Sequence, residues 1–154
     1  MNDATAEQKA NALVNRGVAK ERLPQPDVQD AIADFDAVLA MNDAPAEQKA
    51  NALFNRGVTK GQLPQPDVQG AIADYDAVLA MTDATTEQKA NALFNLGCTK
   101  SLQDNASAAV SYLRRWQEAD PLACQEKLDQ DLDFDAIRDD PAFIEFRTSL
   151  PQTR

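Results

Sequence analysis

Residues 7–41 read EQKANALVNRGVAKERLPQPDVQDAIADFDAVLAM, and residues 47–81 read EQKANALFNRGVTKGQLPQPDVQGAIADYDAVLAM. The opening of this unit returns at residues 86–100 as TEQKANALFNLGCTK, so the chain starts over at Met1, Met41 and Met81. Self-similarity at a fixed period of roughly 20–50 residues is the mark of a repeat architecture, in which units stack and present a surface rather than enclose a pocket. The third copy keeps only the first half of the unit, and the chain beyond it follows a different pattern.

Each unit divides into two helical stretches. The first spans about Ala4 to Leu23, with Ala10, Leu13, Val14, Gly17 and Val18 three and four residues apart on one face. The second spans about Asp27 to Met41, where Val28, Ala31, Ile32, Phe35, Val38 and Leu39 form a stripe that excludes Asp30, Asp34 and Asp36. The LPQPD turn separates them. Pro24 and Pro64 block continuation of the first helix, Pro26 and Pro66 suit the first position of the second, and Asp27 and Asp67 favour its positive end. Gly17, Gly57 and Gly97 lie mid-helix, where glycine costs about 1 kcal/mol relative to alanine. Close approach of a neighbouring helix explains them. A phosphate loop would need a glycine cluster beside a strand, and the chain has neither.

Composition excludes several classes of function. The net charge is −10 over 154 residues, against nucleic acid as a partner, which requires clustered Lys and Arg. No apolar run approaches the roughly 20 residues of a membrane span, and residues 2–11 carry no secretory signal pattern. With two cysteines, Cys98 and Cys124, and no histidine, the expected setting is a reducing cytoplasm. Met1 falls between repeats like Met41 and Met81, as it would in the tail of a longer array.

The residues resemble the tetratricopeptide repeat. Gly17, Ala31, Phe35 and Val38 fall where that family has its glycine, alanine, aromatic and small residue, and Gly57, Ala71, Tyr75 and Val78 repeat the pattern. The forty-residue period exceeds the family's roughly 34, through the longer proline turn and an added turn at the start of each first helix. The third unit returns to family spacing, with Gly97 to Ala109 two residues shorter and Asp120-Pro121 at the closing proline. Trp116 stands where a small residue is usual. DLDFDAIRDDPAFIEFRTSL, residues 131–150, looks like the tail that closes many bacterial arrays of this family, with Leu132, Phe134, Ile137, Phe143, Phe146 and Leu150 as its apolar set.

The resemblance implies an all-α superhelical solenoid in one domain, residues 1–154. Its parts are repeat 1 (about 1–40), repeat 2 (about 41–80), repeat 3 (about 81–120) and a C-terminal helical cap (about 121–150) that covers Trp116. It also implies a concave face lined by the first helix of each hairpin. That face offers Asn11, Val14, Asn15 and Val18, then Asn51, Phe54, Asn55 and Val58, then Asn91, Phe94, Asn95 and Cys98. Asn15, Asn55 and Asn95 match the family's recurrent asparagine, whose amide both donates and accepts and so reads a peptide backbone without demanding a sequence. The absence of Lys and Arg from this face disfavours acidic chaperone tails. Arg16 and Arg56 are expected to point elsewhere, and the columns Lys9, Lys49, Lys89 and Lys20, Lys60, Lys100 to form a solvated face.

Asp129, Asp131, Asp133 and Asp135 alternate like the start of a calcium loop, but Phe134 and Asp140 occupy the places of its glycine and glutamate. Helix caps flanking buried Leu132 and Phe134 explain them better. Cys98 replaces Val18 and Val58 as a small apolar residue. No metal, cofactor or catalytic constellation is expected. The expected function is a non-catalytic scaffold binding an extended peptide or partner helix. The alternative is a structural module that self-associates end to end through its N-terminal face.

Overall fold

The structure, a computed structural model, describes residues 4–120, 123 and 125–152. Pro121 and Cys124, both weighed above, lie outside the described residues. Those described are all-helical, with no strand: α1 (Ala6–Glu21), α2 (Val28–Ala40), α3 (Ala46–Gly61), α4 (Val68–Ala80), α5 (Thr86–Leu102), α6 (Ala106–Ala119), α7 (Gln125–Gln130), a 3-10 helix (Leu132–Ile137) and α8 (Pro141–Ser149). Among them, no helix is long and apolar enough to cross a membrane. Two compact units follow one another, one up to Gln88 and one from Lys89 onward.

The helix starts have a local cause. Asp27, Asp67 and Asn105 each turn a side-chain oxygen onto the third amide of the following helix, at 3.2, 2.9 and 3.0 Å. The prolines expected at the first helical position therefore sit one residue before the cap, because a cap needs the side-chain acceptor that proline lacks. The turn inside each of the three hairpins closes on the same carbonyl of the preceding helix. Asp27, Asp67 and Asn105 donate their amides to Lys20, Lys60 and Lys100 at 3.3, 3.0 and 3.0 Å. The shorter third turn achieves this by placing Asp104 at φ 54°, a left-handed conformation that a short polar side chain tolerates. Thr5 and Thr85 form capping boxes with Gln8 and Gln88, whereas Pro45 makes no side-chain cap.

In the first unit α1 packs on α2, α2 on α3, α1 on α3 and α3 on α4. The core gathers Ala10, Val14, Ala31, Phe35, Val38, Ala44 and Ala52, with Leu13, Val18, Leu39 and Met41 against it. A Cβ added at Gly17 would lie 2.6 Å from the Phe35 ring, and one at Gly57 2.7 Å from the Tyr75 ring. Both rings are buried. The glycines are there because the paired helix occupies the space of a methyl group.

Asp34 and Asp74 are buried, although the apolar stripe excluded them. Arg16 and Arg56 each reach the aspartate of their own hairpin through two nitrogens, with shortest separations of 2.5 Å. Lys20 and Lys60 complete the sites at 2.9 and 2.8 Å. These cations are thus structural, where the sequence placed Lys20 and Lys60 on a solvated face. The pairing is required by burial, since an uncompensated carboxylate in a helix interface is strongly destabilising. Arg56 further spans to Asp36 of the preceding hairpin at 2.5 Å, and Thr59 donates to Glu21. These two bonds tie the second hairpin to the first.

In the second unit the third hairpin is uncharged at the same positions. Leu96 stands for Arg56 and Tyr112 for Asp74, so both members of the ion pair are replaced together. A Cβ on Gly97 would meet Leu113 at 2.8 Å. Trp116, Leu128, Phe134, Ile137, Phe143 and Phe146 are fully or almost fully buried, and α8 packs on α6 and α7. Leu132, assigned above to the buried set, is 76% exposed. Of the four alternating aspartates expected to serve as helix caps, Asp131 caps the 3-10 helix; α8 is capped by Asp140.

Two outcomes test this packing. Gly57→Ala is expected to lower the urea unfolding free energy by about 1–2 kcal/mol, the overpacking cost less the helix-propensity gain. Gly61→Ala, with nothing within 4 Å of the new methyl, is expected to raise it by up to about 1 kcal/mol. Equal effects would refute the close-approach argument. The second outcome concerns pH. Hydrogen bonds from Arg16, then Lys20, hold the Asp34 carboxyl below its usual value. Its contribution is therefore complete above the unfolded value of about 3.9 and is lost as pH falls through the lower folded value. The stability gap between wild type and Asp34→Asn, measured by urea titration from pH 7 downward, is expected to narrow below about pH 4. A constant gap would exclude the linkage.

Candidate functional site

The second unit contains a cleft of about 600 Å³. Asn91, Phe94 and Asn95 of α5 form one wall, because they fall one turn apart on a single face of that helix. Trp116 and Asp120 close the far side at the end of α6. Lys127 and Gln130 of α7, with Asp131 and Leu132, supply the rest.

The aromatic wall is fixed by edge and tilted contacts. Phe94 lies 5.0 Å from Trp116 and 5.7 Å from Phe134, and Phe134 stacks on Phe143 at 5.4 Å. The Trp116 indole N–H donates to Asp120 Oδ2 at 3.2 Å. The same oxygen accepts from Lys127 Nζ at 2.7 Å, and that ammonium stands 5.4 Å from the centre of the indole ring. Asn95 Nδ2 donates to the Asn91 carbonyl at 3.0 Å, which sets the orientation of the Asn95 amide on the wall. The cleft thus joins an apolar floor to a rim of amides and carboxylates.

Of the residues expected on a concave face, Asn91, Phe94 and Asn95 come together here. In the first unit the picture differs. Val14 is buried and Val18 packs on the same core, so both serve hairpin packing rather than a surface. Phe54 is half-buried against Tyr75 at 5.9 Å, and the Asn51 side chain accepts from Gln88 at 2.8 Å. Asn15 is exposed, while Asn11, Asn55 and Val58 are half-buried.

The residues that the sequence did not bring to this site are Trp116, Asp120, Lys127, Gln130, Asp131 and Leu132. They come from the non-repeating part of the chain, where no second copy reveals a pattern. A further group lies beside the cleft. Cys98 Sγ is 3.8 Å from Asp131 Oδ2, and the ligating atoms of Cys98, Asp131 and Asp133 all lie within 4.8 Å of one another. Burial, and then the two aspartates, pushes the Cys98 thiol far above the ordinary range. Burial, followed by the charge of Asp131, raises the Asp133 carboxyl. The departure of Cys98 from Val18 and Val58 was the available signal.

Compared with known proteins, the chain matches no family model, no curated protein and no solved structure.

Trp116 is the single tryptophan of the chain and is 2% exposed, so its fluorescence reports on this cleft alone. Phe94→Ala is expected to shift its emission to the red and to cost about 2–4 kcal/mol of stability, somewhat below a fully buried ring. Lys127→Met, which removes a partly exposed cation, is expected to cost no more than about 1 kcal/mol. An unchanged spectrum in Phe94→Ala would mean that the ring does not shield the indole.

Proposed function

We propose that this chain is a non-catalytic, cytoplasmic protein-binding module, a tetratricopeptide-like superhelical solenoid that holds an extended peptide of a protein partner. The stacking of α1–α4, with its repeated glycine-to-ring contacts, supports the architecture. One observation carries the function: the cleft of the second unit places amides of Asn91, Asn95 and Gln130 around the aromatic floor of Phe94 and Trp116. Amides match the alternating donors and acceptors of an extended backbone, and the floor accepts one apolar side chain. The floor is held by packing before any ligand arrives, so most of the ordering cost falls on the peptide.

The test is selection of tryptophan-free peptides from a random library, followed by titration with Trp116 emission as the readout. Asn91→Ala combined with Leu132→Ala changes two exposed residues of the cleft and is expected to weaken the selected peptides at least tenfold. Selected peptides that bind this variant as well as wild type would place recognition elsewhere.

A second reading is self-association through α1. In α3, Gln48, Ala52 and Thr59 are buried, and Arg56 bridges to Asp36 of the preceding hairpin. Their counterparts on α1, Gln8, Ala12 and Ala19, are exposed. The Arg16 side chain is 61% exposed against 20% for Arg56. This α1 face therefore repeats a surface that already docks a hairpin within the same unit. Mass that grows with concentration, and no longer grows in Ala12→Arg, would favour this reading over the peptide cleft.

A further inference from the structure

We propose that Cys98, Asp131 and Asp133 form a binding site for a thiophilic divalent cation of the zinc class, with an open coordination position toward the cleft. The donor set is mixed and comes from two separate elements. Cys98 projects from α5, whereas Asp131 and Asp133 lie at the cap and second residue of the 3-10 helix. Their ligating atoms lie within 4.8 Å of one another, so one ion can meet all three after small side-chain rotations.

The spacing of sulfur and oxygen suits a metal as well as the thiol-to-carboxylate hydrogen bond that Cys98 makes in its absence. A tetrahedral zinc ion with bonds of about 2.3 Å to sulfur and about 2.0 Å to oxygen sets its two ligands about 3.5 Å apart. Cys98 Sγ donates to Asp131 Oδ2 at 3.8 Å, within a few tenths of an ångström of that edge. Cys98 is 5% exposed and directs its polar atom at these carboxylates instead of a purely apolar neighbour. Packing alone does not ask for this, since Val18 and Val58 fill the same position in the other two repeats.

Charge points the same way. Among the described residues, no ion pair neutralises the Asp131 or Asp133 carboxylate. Arg138, the nearby cation, donates to the Asp131 carbonyl at 3.1 Å and to Asp135. Two adjacent carboxylates beside a buried thiol repel one another when ionised, and a bound cation reverses that cost. The ligands are also held in place. Asp131 Oδ1 accepts from the Asp133 amide at 2.9 Å, and Arg138 fixes the carbonyl of the same residue. Outer partners of this kind orient metal ligands.

The choice of cation follows from number and softness. Calcium takes six to eight oxygen ligands and magnesium a nearly octahedral oxygen shell, whereas one thiolate with two carboxylates suits zinc, or cobalt as its spectroscopic substitute. Three protein ligands leave a fourth position. Asp131 lines the cleft, which supplies both a path for the ion and room for a water or ligand atom at that position.

The experiment is titration of the reduced full-length chain with Co²⁺, followed by displacement with Zn²⁺. A thiolate-to-cobalt charge-transfer band saturating at one equivalent is expected. Cys98→Val, which installs the residue of the other two repeats, is expected to abolish it. Asp131→Asn and Asp133→Asn are each expected to weaken binding at least tenfold, while Cys124→Ser leaves the band intact. Zinc is expected to raise the melting temperature of wild type and not of Cys98→Val. No band in wild type, or a band that survives Cys98→Val, would overturn the proposal, as would a band lost in Cys124→Ser. Where Cys98→Val fails to fold, the Cys124→Ser titration still decides which thiol binds, since only Cys98 then remains.

Discussion

The contact on which the hairpins depend is between a missing side chain and a buried one. At Gly17, Gly57 and Gly97 the first helix of each pair gives up its Cβ, and Phe35, Tyr75 and Leu113 of the second fill the space. The cost is a less favourable helix, about 1 kcal/mol per glycine. The gain is an approach close enough to bury each of these side chains and, in the first two hairpins, to bring polar residues on the flanking turns within bonding distance. Arg16 precedes Gly17 and Lys20 follows it by three, so both reach Asp34, one residue before the ring that fills the gap. The same relation joins Arg56 and Lys60 to Asp74. Without the close approach, these aspartates would be left without counter-charges in a desolvated interface.

The third hairpin keeps the close approach and discards the arginine–aspartate pair. Leu96 and Tyr112 replace the arginine and aspartate as a pair, which is the pattern expected when either alone would leave an unpaired buried charge. The change suits its surroundings. From Trp116 onward the second unit is organised by ring contacts that run from Phe94 through Phe134 to Phe143. An ionic centre would be poorly solvated there. The cleft borders this aromatic arrangement, with Asp120 accepting from the Trp116 indole and from Lys127 at its rim.

Two kinds of recognition are proposed for neighbouring parts of that unit, and they use different chemistry. The amides and rings of the cleft suit an uncharged backbone with one apolar side chain. The thiol and carboxylates beside it suit a cation. Asp131 belongs to both, lining the cleft and contacting Cys98. The proposed cation would therefore change the charge of the peptide site.

The helices, their approximate ends and the glycine contacts are encoded locally. Periodicity of apolar residues tells which face of a helix is buried, and Pro, Asp and Gly mark turns and close approaches through their own backbone preferences. Those features were legible in residues 7–41 and in their copies. What only the tertiary structure decided are the partners across helices. Asp34 lies off the apolar stripe yet is buried, because Arg16 and Lys20 follow it into the interface. Leu132 fits an apolar pattern yet is exposed, because the 3-10 helix turns it away from the core that holds Phe134. Cys98 meets Asp131 across 33 residues of chain, a distance over which no local spacing rule operates. Sequence determines the face that a residue occupies. The crossing of one helix over another determines what that face meets, and that geometry is set by all the side chains in the interface at once.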